Sequence, residues 1–141
     1  MTKNAYNLQR FIDAQNPVFE QVLIELEMGE KQTHWMWFVF PQIKGLGQSA
    51  TAKHYAIASA DEARAYLAHP LLGPRLEQCT RLVNSLAGTT AEDIFGPVDT
   101  LKFRSSMTLF AAIAQDNTIF KYALEKFYGG VADERTVALL R

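Results

Sequence analysis

Residues 31–49, KQTHWMWFVFPQIKGLGQS, hold both tryptophans of the chain together with two phenylalanines, a histidine, a proline and two glycines. This is also the one stretch that can be read as a strand, because His34, Met36, Phe38 and Phe40 alternate with Trp35, Trp37 and Val39. Short apolar runs carry that ambiguity, and periodicity alone does not resolve it. A single strand has nothing to pair with, and no other segment alternates or offers an Asn-Gly or Asp-Gly hairpin turn. The segment therefore reads as a helical turn or an extended loop ending at Pro41, within an irregular region covering about residues 33–48. On that reading the fold class is all-α.

Helix signals recur on both sides. Upstream, residues 6–14 form a short helix packing Leu8, Phe11 and Ile12. Asn16-Pro17, a capping residue followed by proline at the first helical position, then opens a second helix. Phe19, Val22, Leu23 and Leu26 make its apolar stripe, Glu20, Glu25 and Glu27 lie off it, and Gly29 closes it. Downstream, Ser49 caps a short helix, and Ser59 with Glu62 forms a capping box for a helix ended by His69-Pro70. Pro74 sits in the first turn of the next, which buries Leu76, Cys79, Val83 and Leu86 on one face. Thr89 and Glu92 give a further capping box, serving only a short turn because Gly96-Pro97 follows at once. A long helix then runs from Val98 with Phe103, Met107, Phe110 and Ile113 on one side. Asn117 caps a helix carrying Phe120, Leu124 and Phe127, and Asp133 caps a last one ending near Leu140. The expectation is one helical domain over residues 1–141, with about seven helices and no internal repeat.

Composition narrows the functional classes. A chain of 141 residues buries roughly 70% of its unfolded surface, and with 48% hydrophobic residues it should be ordered apart from a few at the N-terminus. Fourteen basic and fifteen acidic side chains are interspersed and leave a net charge of −1. There is no basic field to release counterions from a nucleic-acid backbone, so nucleic acid is not an expected partner. The lone Cys79 lies in an apolar helical pattern, which makes it an inert buried thiol rather than a nucleophile and fits a reducing cytosol. No signal-peptide run and no stretch of about 20 apolar residues occurs, so the protein is expected to be soluble and cytoplasmic, without a membrane partner. No HxxxH or CxxC spacing is present, and neither a metal nor a cofactor is expected. A neutral surface without heptads makes no demand for a particular oligomer.

Three constellations could carry chemistry. In the first, His34, Trp35, Trp37, Gln42, Lys44, Gly45 and Gly47 precede a helix capped by Ser49. Backbone N–H groups at such a turn, with Lys44, can hold an anion, while indole faces suit a flat ring. Equally, two glycines permit a tight turn while the aromatics fill the core, and GLG is too short to be a phosphate fingerprint. In the second, Asp99, Lys102 and Ser106 lie on one strip of a helix beside Phe103 and Phe110. They form either a pocket wall or a surface ion pair with Ser106 bonded to a carbonyl one turn back. In the third, Lys53, His54 and Tyr55 are consecutive on a helix, so no more than two of them can face one pocket. Histidine as a residue type changes charge near neutral pH, which makes His54, with Asp99, a candidate acid–base group. The ligand expected is a small anionic, nucleotide- or ribosyl-like molecule, with hydrolysis of a glycosidic bond as the reaction if there is one. A protein-interaction module that docks a partner through the Trp-rich segment is the alternative. Concave tryptophans favour the ligand, and a flat exposed patch favours the partner.

The strings HWMWFVFPQIKGLGQSATAKHYAI, EARAYLAHPLLGPRLEQC, IFGPVDTLKFRSSMTLF and FYGGVADERTVALL, spread over about residues 6–140, closely resemble the family called domain of unknown function 1810. That resemblance implies a mainly helical single domain without an established activity. The label calpastatin carried by bacterial members does not fit this chain, which lacks the disordered, Pro-rich composition of that inhibitor. Two fragments, AKHYAIASADEARAYL and SSMTLFAAIAQDNTIFKYALEKF, are also similar to NADAR domains. That similarity implies ADP-ribose-related chemistry and cleavage of N-glycosidic bonds. The chain departs from NADAR domains in its N-terminal block, and Lys53 stands directly before His54 where a carboxylate would be the natural acid or base.

Overall fold

The computed structural model describes residues 6–141; the expected loose N-terminal residues lie outside them. The architecture is all-α. Among the described residues the helices are α1 Gln9–Gln15, α2 Phe19–Met28, α3 Met36–Val39, α4 Ala50–His54, α5 Ala60–Ala68, α6 Leu72–Ser85, α7 Ala91–Ile113, α8 Thr118–Tyr128 and α9 Glu134–Leu139. These nine exceed the expected seven through short pieces such as α3, a single turn inside the aromatic segment. The long helix α8 packs on both α6 and α7, with α2 and α5 against α6 and with α3, α5 and α9 against α7. Helix α1 lies against α3.

Four caps form from their own side chains. Ser49, Ser59, Thr90 and Asp133 accept the N–H groups of Ala52, Glu62, Asp93 and Thr136. Thr90 takes the place expected for Thr89. Asn16 does not cap α2. It continues the last turn of α1, and α2 begins after Val18. Asn117 also fails as a side-chain cap, because its amide donates to the Ala111 carbonyl while Asp116 accepts the Thr118 N–H. Gly96, at φ 90°, breaks α7 into a first turn and a long helix entered through Pro97, as the Gly-Pro pair requires.

The core runs through all of these layers. Phe11, Phe40, Tyr66, Phe103, Phe110 and Phe120 are wholly buried, and Phe40 meets Phe95 and Phe103 edge-on at 5.9 and 5.0 Å, the arrangement aromatic quadrupoles favour. Cys79 is buried, and desolvation pushes its thiol up to about 12, so it has no thiolate to react with. Among the described residues no helix is long and apolar enough to cross a membrane.

Candidate functional site

Construction of the site begins at Glu25. Its position off the apolar stripe reads as solvated, yet the carboxylate is fully buried. It accepts hydrogen bonds from the Gln32 and Thr33 N–H groups (2.7 and 3.0 Å), the Thr33 hydroxyl (2.7 Å), the Gln21 amide (3.0 Å) and the Trp35 indole N–H (2.9 Å). Burial alone would raise its pKa, but these donors outweigh it and hold the carboxyl down at about 2. Trp35 is thereby fixed in the core at 1% exposure. It is not a ligand wall, since its one polar atom is spent on Glu25 and its rings are enclosed.

The single turn α3 then divides its four side chains. Met36 and Val39 point inward, while Trp37 and Phe38 stay half-buried on the other side. Beyond Pro41 the chain extends to one parallel bridge between Ile43 and Ile57, closed by Lys44 N–H to Ile57 O (2.7 Å) and Ile57 N–H to Gln42 O (2.8 Å). The lone extended residue thus has a partner, which sequence alternation could not reveal. Between the bridge residues the chain makes a closed loop that carries α4. Gly45 has φ 109°, and a Cβ on Gly47 would lie 2.4 Å from the Cβ of Ala52. One glycine serves the turn and the other lets α4 fold back over it.

Between α3 and α4 lies an open cleft of about 450 Å³, walled by His34, Trp37 and Phe38 on one side and Thr51, His54 and Tyr55 on the other. Tyr55 rests on Phe38 at 5.3 Å and on Phe11 at 5.9 Å, and His54 meets Tyr55 edge-on at 4.6 Å. On the other side of His54 is a second depression of about 520 Å³, containing Lys44, Lys53 and the Arg10–Glu62 ion pair. Neither Lys44 nor Lys53 has an ion-pair partner among the described residues. Helical geometry sets this division: Lys53 faces one depression, Tyr55 the other, and His54 borders both. Gln42 and Gly47 instead line a cavity of about 10 Å³ beside Trp37, which is the size of one water.

Asp99, Lys102 and Ser106 line neither depression. The Asp99 carboxylate lies between Lys31 Nζ (2.9 Å) and Lys102 Nζ (3.1 Å). Burial would raise its pKa, but the hydrogen bonds and charges of the two lysines lower it below the ordinary value. An aspartate held in this way is a poor proton donor near neutrality. Its evident work is to hold Lys102, whose Nζ stands 5.9 Å from the centre of the Trp37 ring. Ser106 is wholly buried, and its hydroxyl has no hydrogen-bond partner among the described residues, so the bond to a carbonyl one turn back, the alternative to a pocket wall, is not made. Among the described residues no three His, Cys, Asp or Glu side chains gather in a way that could hold a metal ion.

The family model described as Protein of unknown function (DUF1810) matches residues 5–140. The chain belongs to this family. It is also similar to a solved structure, the conserved hypothetical protein Rv1873 from Mycobacterium tuberculosis, at 55% identity over 97% of this chain and 98% of that one, with a TM-score of 0.96. No curated protein matches. Neither the DUF1810 family nor this neighbour carries an activity in its name, so function rests on the chemistry of the cleft.

Proposed function

We propose that the protein binds a small anionic molecule bearing a flat ring, of nucleotide- or ribosyl-phosphate-like chemistry, across the two depressions that meet at His54. The observation that carries this reading is their difference in lining. One is walled by Trp37, Phe38 and Tyr55, and the other presents the ammonium groups of Lys44 and Lys53, which have no ion-pair partner among the described residues. A ring stacks on the first while phosphate oxygens reach the second. Lys102, held beside Trp37 by Asp99, adds positive charge near that ring without lining either depression. The burial of Trp35 leaves one half-buried indole beside the open cleft rather than an exposed Trp-rich patch, which favours a small ligand over a flat protein partner. If the bound molecule is turned over, the reaction is hydrolysis of a glycosidic bond with His54 moving the proton, since it is the titratable side chain shared by both halves. A cytosolic setting accords with the free, buried Cys79.

A thermal-shift screen against nucleotides, NAD, ADP-ribose and sugar phosphates tests the reading. A ligand at about 100 times its dissociation constant adds roughly 2.7 kcal/mol. The expected result is stabilisation of the wild type by one such class, lost in the Lys44→Ala/Lys53→Ala double variant. A panel in which nothing stabilises the wild type overturns it.

A further inference from the structure

Arg10 borders the lysine-bearing depression and at first sight belongs with Lys44 and Lys53 as an anion ligand. Its hydrogen bonds say otherwise. Nε donates to the His54 carbonyl (2.9 Å), Nη1 to the carbonyls of Tyr6 (2.6 Å) and Asn7 (2.8 Å), and Nη2 to the Ala56 carbonyl (2.9 Å) and to Glu62 Oε2 (2.9 Å). A guanidinium has five N–H donors, and all of them are occupied by the protein. The side chain is 11% exposed and lies over the Phe11 ring at 4.3 Å. Arg10 therefore has no free donor for a ligand, and its acceptors show what it does. The His54 and Ala56 carbonyls flank Tyr55, so one planar group fixes the stretch from which both depressions take a wall.

The loop it grips has few other ties. No residue from 44 to 56 is fully buried, its base is tied by the Ile43–Ile57 bridge, Leu46 and Tyr55 pack only partly against the core, and Arg135 donates one bond of 3.3 Å to the Gly45 carbonyl. Segments with few buried contacts open locally at low cost. The opposite wall is anchored from the same helix: Gln15, also on α1, donates to the Phe38 carbonyl at 2.7 Å. Phe11 lies between these two anchors in sequence and supports Tyr55. Helix α1 is thus a spacer that holds both walls of the aromatic cleft.

We propose that Arg10 is the positioning residue of the cleft, holding the 44–56 loop and its His54–Tyr55 wall at the distance from α3 that a flat ring requires. This rests on the reading of the cleft as a ligand site, so the test has one arm with ligand and one without. Lysine cannot reproduce a planar five-donor group, which makes Arg10→Lys the informative variant.

Without ligand, amide hydrogen exchange should quicken at least about tenfold at Lys44 and Ile57, whose N–H groups close the bridge, and by less than about threefold in α6 and α8. Equal acceleration everywhere, or none at the bridge, overturns the proposal. With ADP as probe, Arg10→Lys should bind at least about tenfold more weakly, whereas Val83→Ala, a core truncation in α6 that lines neither depression, should bind like the wild type. Equal loss in both variants makes Arg10 a general stabiliser and also overturns the proposal. Wild-type protein that ignores ADP counts against the proposed function, while the exchange arm still decides whether Arg10 positions the loop. Should Arg10→Lys fail to fold, Glu62→Gln, which removes the charge partner of Nη2, is read by the same two arms.

Discussion

Trp35 and Trp37 stand two residues apart in one short segment and have opposite surroundings. Trp35 is enclosed and bonded through its indole N–H to a buried carboxylate, while Trp37 sits half-buried beside a cleft, with an ammonium near its face. The difference comes from what precedes and follows each of them. Glu25, on α2, captures the chain from Gln32 to Trp35 before α3 begins, and that single turn then rotates Trp37 and Phe38 away from the core. One run of aromatic residues thereby supplies both a structural anchor and a wall for a site. Composition alone gives the two tryptophans the same reading.

The sharpest way to break this comparison is to truncate each indole in turn. Trp35→Ala should cost about 3 to 5 kcal/mol in urea unfolding, the range for deleting a buried large aromatic, with the Glu25 carboxylate left one donor short. Trp37→Ala should cost clearly less while removing ligand-dependent stabilisation. Equal costs for the two would erase the distinction.

Acid sharpens the same contrast. Glu25 has its folded-state pKa depressed to about 2 from 4.5. A depressed carboxyl contributes stability that is present above the unfolded value and lost as pH falls through the folded one. Stability should therefore decline between about pH 4.5 and 2, by about 3 kcal/mol from this group. Urea midpoints measured across that range should fall more steeply for the wild type than for Glu25→Gln. Parallel slopes would mean that Glu25 is not the group responsible.

Asp99→Asn comes next in size. It leaves Lys31, 9% exposed, and Lys102 without their carboxylate. A partly buried pair lies between the surface and core limits, so the expected cost is about 1 to 3 kcal/mol. The Trp37 environment should change as Lys102 is released, as read by its fluorescence. An unchanged emission would separate Asp99 from the cleft. The smallest stability effect belongs to His54→Ala, an exposed substitution expected within about 0.5 kcal/mol, with ligand-induced stabilisation reduced all the same.

Much of the helical framework was legible because its signals are local. Ser49, Ser59 and Asp133 cap helices by accepting N–H groups three residues on, and Gly29 and Gly129 end them in the left-handed conformation. The site was less legible because its determinants are remote in sequence. Glu25 looks like one more solvated glutamate until Thr33 and Trp35 fold back onto it, and Arg10 gives no hint of acceptors at His54, Ala56 and Glu62. The Asp99 strip misled for the opposite reason. Its spacing correctly placed Lys102 beside Asp99, but the second ammonium came from Lys31 on another segment and turned a candidate acid into an ion-paired anchor.

The most direct test of the central claim uses the two indole N–H resonances of the protein in a nitrogen-15 correlation spectrum, assigned through Trp35→Phe and Trp37→Phe. ADP, ADP-ribose and ribose 5-phosphate are each titrated in. A bound ligand should move the Trp37 indole signal in a saturable way and leave that of Trp35, bonded to Glu25, in place. A ligand that moves Trp35 alone, or a full set that moves neither, would contradict the central claim.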